Sequence, residues 1–181
     1  KAHYAAWEKL QKNRRIRKNH LETSWESIGP HNFSGRTLDL AFNPLNSNTI
    51  YAGSAIGGLQ DNGTIAYYGS KAWTRIAGGD GSWSAIDPEN DRNIIVSSQF
   101  LRMRKSSNGG EDYERNAPPS NNENTVFIAP FVVSKTNPQV IYAGRTRVYR
   151  STDGGESWEA TNGGNPLNGT NPILSLAISP K

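Results

Sequence analysis

Short apolar runs, each fenced by Asn, Asp, Gly or Pro, return in the same order three times along the chain, the pattern of strands separated by turns. The third unit reads FIAPFVVS, VIYAGR, RVYRST, SWEATN, and the second reads WSAID, NIIVSS, LRMRKS, DYERN. The first reads TLDLAF, TIYAGSA, TIAYYG, AWTRIAG, with a longer insertion before its third strand. Four segments end an apolar stretch at a proline: LAFNP, SAIDP, FVVSKTNP and LAISP. Their prolines, Pro44, Pro88, Pro138 and Pro180, stand 44, 50 and 42 residues apart. An aromatic residue opens the fourth strand of each unit, as Trp73, Tyr113 and Trp158, and Trp25 repeats the signal ahead of the first unit.

A period of roughly 40–50 residues with four strands per unit is the spacing of β-propeller blades. The expected fold is therefore all-β: a propeller of four-stranded blades, with repeats at about 37–78, 83–118 and 127–163 and the start of another at 174. Known propellers close with about four to eight blades. Three full units fall short of a ring, so the chain reads as part of a larger closed propeller, with the remaining blades supplied by the same protein or by another chain. Composition agrees: 19 Asn, 18 Gly and 10 Pro among 181 residues favour turns over long helices.

Charge sets the N-terminus apart. Residues 1–20 carry seven Lys or Arg against Glu8 alone, while the other 161 carry 13 basic and 15 acidic groups. Tyr4, Trp7 and Leu10 recur at near-helical spacing there, so residues 1–22 read as a short basic helical arm and 23–181 as the propeller. One basic cluster, RRIRK, without an aromatic-bearing sheet or groove, gives no ground to expect a nucleic-acid partner. No run approaches the roughly 20 apolar residues of a membrane span. With no Cys and with His3, His20 and His31 scattered, no metal site is expected, and the Gly-rich stretches match no nucleotide-binding template, so no cofactor is expected either.

Between the third and fourth strands of the last unit stands Ser151-Thr152-Asp153-Gly154-Gly155-Glu156-Ser157-Trp158. Asp153 is suited to accept hydrogen bonds from loop N–H groups, Gly155 to take positive φ, and Trp158 to seal the blade packing. A degenerate copy keeps the spacing with Ser106, Asn108, Gly110 and Tyr113. This pattern, Ser-x-Asp-x-Gly-x-x-Trp, resembles the Asp-box or bacterial neuraminidase repeat of sialidases, xyloglucanase-type glycoside hydrolases and sortilin-like receptors. More narrowly, WESIGPHNFSGRTLDLAFNPLNSNTIYAGSAIGGL and APFVVSKTNPQVIYAGRTRVYRSTDGGESW resemble segments of large secreted glycosidase-like propeller proteins of Bacteroidetes type. In such proteins the part resembling 25–59 opens the first blade and the part resembling 60–181 comes much later, which marks the junction Leu59-Gln60 as a place where relatives carry intervening chain.

The resemblance implies a secreted or cell-surface location and a binding or structural role toward glycan or protein partners at one propeller face. The alternative it carries is a polysaccharide-directed glycoside hydrolase whose acids are Asp61 or Asp80 or lie outside this sequence. Against that alternative, the xyloglucanase type places a carboxylate where Ala55 stands in Ala52-Gly53-Ser54-Ala55-Ile56-Gly57-Gly58, and glycoside cleavage generally needs two positioned carboxyl groups. The sialidase type needs an arginine cluster and a Tyr–Glu pair; Arg36, Arg145 and Arg147 occur without an Arg-Ile-Pro signature. No catalytic residue is assigned. The candidate ligand contacts are Arg36, Asp61, Asp80 and Trp83, with Trp83 as a stacking platform; for the two acids the competing reading is a turn cap beside glycine.

Overall fold

The computed structural model describes residues 37–42, 55–68 and 71–179. The expected basic helix, Trp25 and Arg36 lie outside these residues. The described chain forms three four-stranded antiparallel sheets, taken up one after another along the sequence. The first holds β1 (Thr37–Phe42), β2 (Ala55–Leu59), β3 (Gly63–Tyr67) and β4 (Thr74–Ala77). The second holds β5 (Ser84–Ile86), β6 (Ile94–Ser98), β7 (Arg102–Ser106) and β8 (Glu114–Arg115). The third holds β9 (Phe131–Val133), β10 (Ile141–Gly144), β11 (Val148–Ser151) and β12 (Glu159–Ala160). Strand order equals chain order in every sheet, the meander of a propeller blade.

The apolar run Ile94-Ile95-Val96 has a physical reason to be continuous rather than alternating, because its sheet is covered on both faces. Ile94 and Val96 join Ile56, Ala66 and Ile86 in a core between the first and second sheets. Ile95 points the other way, into a core with Leu101, Met103, Phe131, Ile141 and Ala143 between the second and third. Tyr113 packs against the first of these cores and Trp158 against the second, so the aromatic that opens a fourth strand seals its blade to the preceding one. Trp73, 5.6 Å from the Tyr67 ring, packs with Ala55, Leu59 and Ile65.

The first unit departs from expectation. Its described second strand is Ala55–Leu59, and the expected strand TIYAGSA lies outside the described residues except for Ala55. No insertion precedes the third strand: residues 60–62 turn directly from β2 to β3, with Leu59 paired to Gly63 and Asn62 N–H donating to the Leu59 carbonyl at 3.2 Å. The Leu59-Gln60 junction is thus the start of a hairpin turn. The fourth strands are shorter than read, two residues each in the second and third sheets, and β9 begins at Phe131 rather than at Phe127.

Burial has a titration consequence at the joint between the first two sheets. It pushes the Tyr68 hydroxyl up to about 12, with Glu111 adding to the shift, and raises Tyr113 as well, with Tyr68 as the second cause and Arg104 opposing. Both groups hold their protons more tightly folded than unfolded, so their contribution is complete below pH 10 and is lost as pH rises through about 12. Tyrosinate absorbance followed with circular dichroism is expected to show these two ionising together with unfolding, and Tyr68→Phe to shift that alkaline transition upward.

Candidate functional site

Antiparallel order places the turns after second strands and the connections between sheets at one end of the assembly, and the remaining turns at the other. At the first end stand 60–62, 78–83, 99–101, 116–130 and 145–147. Neighbouring loops there are tied tip to tip. Asp61, at φ 69°, donates its backbone N–H to Asp80 Oδ1 at 2.9 Å, and Asp80 N–H donates to Gln99 Oε1 at 3.0 Å. The Ser82 hydroxyl donates to the Asp80 carbonyl at 3.1 Å. Asp61 and Asp80 therefore meet at the joint between the first and second sheets, with Asp80 holding the neighbouring turn in place. Trp83 is half-buried against the core of Leu101, Met103 and Phe131, and its carbonyl accepts from Ser97 N–H. Arg36 lies outside the described residues.

Among the described residues the exposed aromatics of this end are Phe100 and Phe127, 49% and 40% accessible, packed edge to face with centroids 5.4 Å apart. Phe100 N–H donates to the Phe127 carbonyl at 2.9 Å. Phe100 and Leu101 both hold left-handed φ, 59° and 58°, where side chains with a Cβ are strained. The strain turns Leu101 into the core and Phe100 to solvent. No rule of turn composition points to Phe-Leu for this conformation, so sequence reasoning missed it.

A second tie anchors the 116–130 connection to the β10–β11 turn. Glu123 accepts from Thr146 Oγ1 at 2.6 Å, from Arg147 N–H at 3.0 Å and from the Tyr149 hydroxyl, and Arg147 Nη1 lies 2.9 Å away. Burial pushes the Glu123 carboxyl up, but the hydrogen bonds from Thr146, Tyr149 and Arg147 outweigh it and hold the group below its ordinary value. Arg145 is buried beside this network and donates to the Pro118 carbonyl at 3.2 Å. A Tyr, a Glu and two Arg thus come together, yet Tyr149 is 2% accessible and the Glu123 side chain 4%. A nucleophile must reach its substrate; this pair instead braces a loop. Glu123 sits in the polar stretch NNEN, and its partners lie more than 20 residues onward, so nothing local marked it.

At the opposite end, the two related turns share one hydrogen-bond scheme. Ser151 Oγ donates to Asp153 Oδ1 at 2.7 Å and accepts from Gly155 N–H at 2.7 Å; Ser106 Oγ donates to Asn108 Oδ1 at 2.8 Å and accepts from Gly110 N–H at 2.9 Å. Gly155 and Gly110 sit at φ 92° and 93°, which L side chains rarely adopt. Asp153 also accepts from the Ser157 N–H and hydroxyl, and these bonds with Ser151 hold its carboxyl far below the usual range. Trp158 Nε1 donates to the Gly155 carbonyl at 3.0 Å. Asn116, the residue after β8, donates its Nδ2 to the Gly154 carbonyl at 3.0 Å and bolts the two blades together. A crevice of about 40 Å³ beside this bolt, lined by Asp87, Lys105 and Gln139, has room for a water or two and no ligand.

Among the described residues no cluster of three His, Cys, Asp or Glu could hold a metal, and no helix is long and apolar enough to cross a membrane. No family model and no curated protein matches the chain. Solved structures do. An ancestral GH74 enzyme aligns with TM-score 0.53 and 23% identity over 68% of this chain and 18% of its own. The GH74 xyloglucanase from Xanthomonas campestris gives 0.51 and 14% over 70% and 23%. YCF48 bound to a D1 peptide gives 0.55 and 14% over 77% and 44%. The chain spans less than half the length of each of these proteins, and at such identity the likeness extends to the fold alone. The described chain is a set of consecutive β-propeller blades.

Proposed function

We propose that the chain is a portion of a secreted or cell-surface Asp-box propeller that works as a binding module, taking a glycan or protein partner on the end where 60–62, 78–83, 99–101 and 116–130 gather. The observation that carries this reading is the exposed Phe100–Phe127 pair, held by strained backbone on a face whose loops are cross-linked from blade to blade. Rigid blades presenting such loops are the usual division between scaffold and function. Two aromatic edges amid Gln and Asp side chains suit a sugar ring or an apolar peptide side chain. The Ser-x-Asp-x-Gly turns at the other end then serve as Asp-boxes that fasten third to fourth strands, remote from the ligand. The peptide named with YCF48 is in keeping with a propeller of this kind gripping a partner.

The experiment is calorimetry with xyloglucan oligosaccharides, sialyllactose and a set of immobilised peptides, together with a reducing-end assay on the glycans. The expected result is binding without release of reducing ends, weakened tenfold or more by Phe100→Ala with Phe127→Ala. Release of reducing ends that is lost in Asp80→Asn establishes the hydrolase alternative instead, and binding indifferent to both aromatic substitutions removes the proposed face.

A further inference from the structure

The strongest unexplained charge lies on the outer half of the second sheet. Arg102 and Arg104 stand two apart on β7, so they share a face about 6.8 Å apart, and both are exposed. Across the ladder Arg104 is in register with Arg115 of β8, also exposed. Like charges set directly opposite on neighbouring strands destabilise a sheet. The acid of β8 itself gives no relief on this face, because Glu114 is in register with Lys105. Among the described residues no carboxylate forms an ion pair with Arg102, Arg104 or Arg115; the pairing at Glu123 belongs to Arg147. Three guanidinium groups are thus gathered at a cost in stability with no carboxylate among the described residues paired to them.

Two further features point to what neutralises them. β8 is the last strand of its sheet, and among the described residues no strand pairs with its outer edge. The exposed Phe100 lies two residues before Arg102, at the end of the same strip.

We propose that this strip is the docking site for an extended acidic peptide segment of a protein partner, with carboxylates at alternate positions facing Arg102, Arg104 and Arg115 and an apolar side chain against Phe100. Alternate residues of an extended peptide repeat at the same spacing as Arg102 and Arg104. Arg meets carboxylate through two parallel N–H···O bonds, which fixes register as well as attraction. Main-chain groups on an open edge strand are matched by another polypeptide and not by a polysaccharide or a nucleic acid. The proposal rests on the reading of the chain as a binding module and names the partner class for it.

The test uses the full chain and fluorescence anisotropy of a labelled peptide of alternating Glu and Val. Controls are a peptide of the same composition with its Glu residues in one block, the alternating Lys–Val peptide, and a hyaluronate fragment of equal charge. The alternating Glu peptide is expected to bind at least tenfold more tightly than each control, and Arg102→Gln with Arg104→Gln to weaken it at least tenfold. Arg104→Glu is expected to lose binding while raising the melting temperature, since it sets a carboxylate opposite Arg115; a residue kept for packing gives no such split. No binding of the alternating peptide, equal binding of the block peptide, tighter binding of hyaluronate, or binding unchanged by the Gln variants each overturns the proposal. If those failures occur while another ligand still depends on Phe100 and Phe127, the loop-face reading stands and only the acidic partner falls.

Discussion

Gly81→Ala is expected to disrupt the joint between the first two blades. A Cβ on Gly81 would stand 2.0 Å from the Gly63 carbonyl oxygen and 2.8 Å from the Leu59 nitrogen, backbone atoms that have no rotamer to escape into. Gly81 N–H donates to the Leu59 carbonyl at 3.0 Å, so relief requires the two segments to part and that bond to break. Overpacking typically costs about 1–3 kcal/mol, and a lost backbone hydrogen bond adds roughly 1 kcal/mol. Against a total of about 5–15 kcal/mol for a native domain, the midpoint of urea unfolding is expected to fall sharply. Gly78→Ala is the control. Its Cβ would meet only the end of the Arg75 side chain, which is free to swing, and its effect is expected within about 0.5 kcal/mol.

Glu123→Ala is expected to loosen the 116–130 connection from the third blade. The carboxylate satisfies Thr146, Tyr149 and both the backbone and guanidinium of Arg147, and Tyr149 and Thr146 are buried. Truncation strands their hydroxyls, at roughly 1–3 kcal/mol for each buried unsatisfied group. The same carboxyl sets an acid limit. Its folded pKa lies below the ordinary 4.5, so its contribution is present above that value and lost as pH falls through the folded one. Asp153, lowered by Ser157 and Ser151, acts in the same direction. Melting temperature is therefore expected to drop on acidification below about pH 4.5, and Glu123→Gln to flatten part of that slope while lowering stability at neutral pH. A slope unchanged by Glu123→Gln places the acid sensitivity elsewhere.

The blade repeat was legible because each element answers to a local rule. Prolines follow first strands, β-branched runs such as NIIVSS and VIYAG make the covered strands, and an aromatic opens each fourth. In the first unit Gly57 and Gly58 disguise β2 as part of an insertion before the third strand. A signal for the true hairpin was present, Asn62-Gly63, a dipeptide favoured in tight turns between strands. At the loop face, Asp61 and Asp80 were picked out by their glycine neighbours, and the structure brings them to one joint. Phe100 and Glu123 were not legible. The exposure of Phe100 depends on a left-handed turn that non-glycine residues rarely adopt, and Glu123 acquires its role from residues 23 to 26 positions further along the chain.

Peptide-resolved amide hydrogen exchange on the full chain tests the blade architecture most directly. In four-stranded blades the middle strands are paired on both edges and the outermost on one, so Ile94–Ser98, Arg102–Ser106 and Ile141–Gly144 are expected to exchange slowest, and Glu114–Arg115 and Glu159–Ala160 much faster. Uniform exchange across these segments, or protection of the fourth strands equal to that of the middle ones, would contradict the account of three successive blades and the loop face they support.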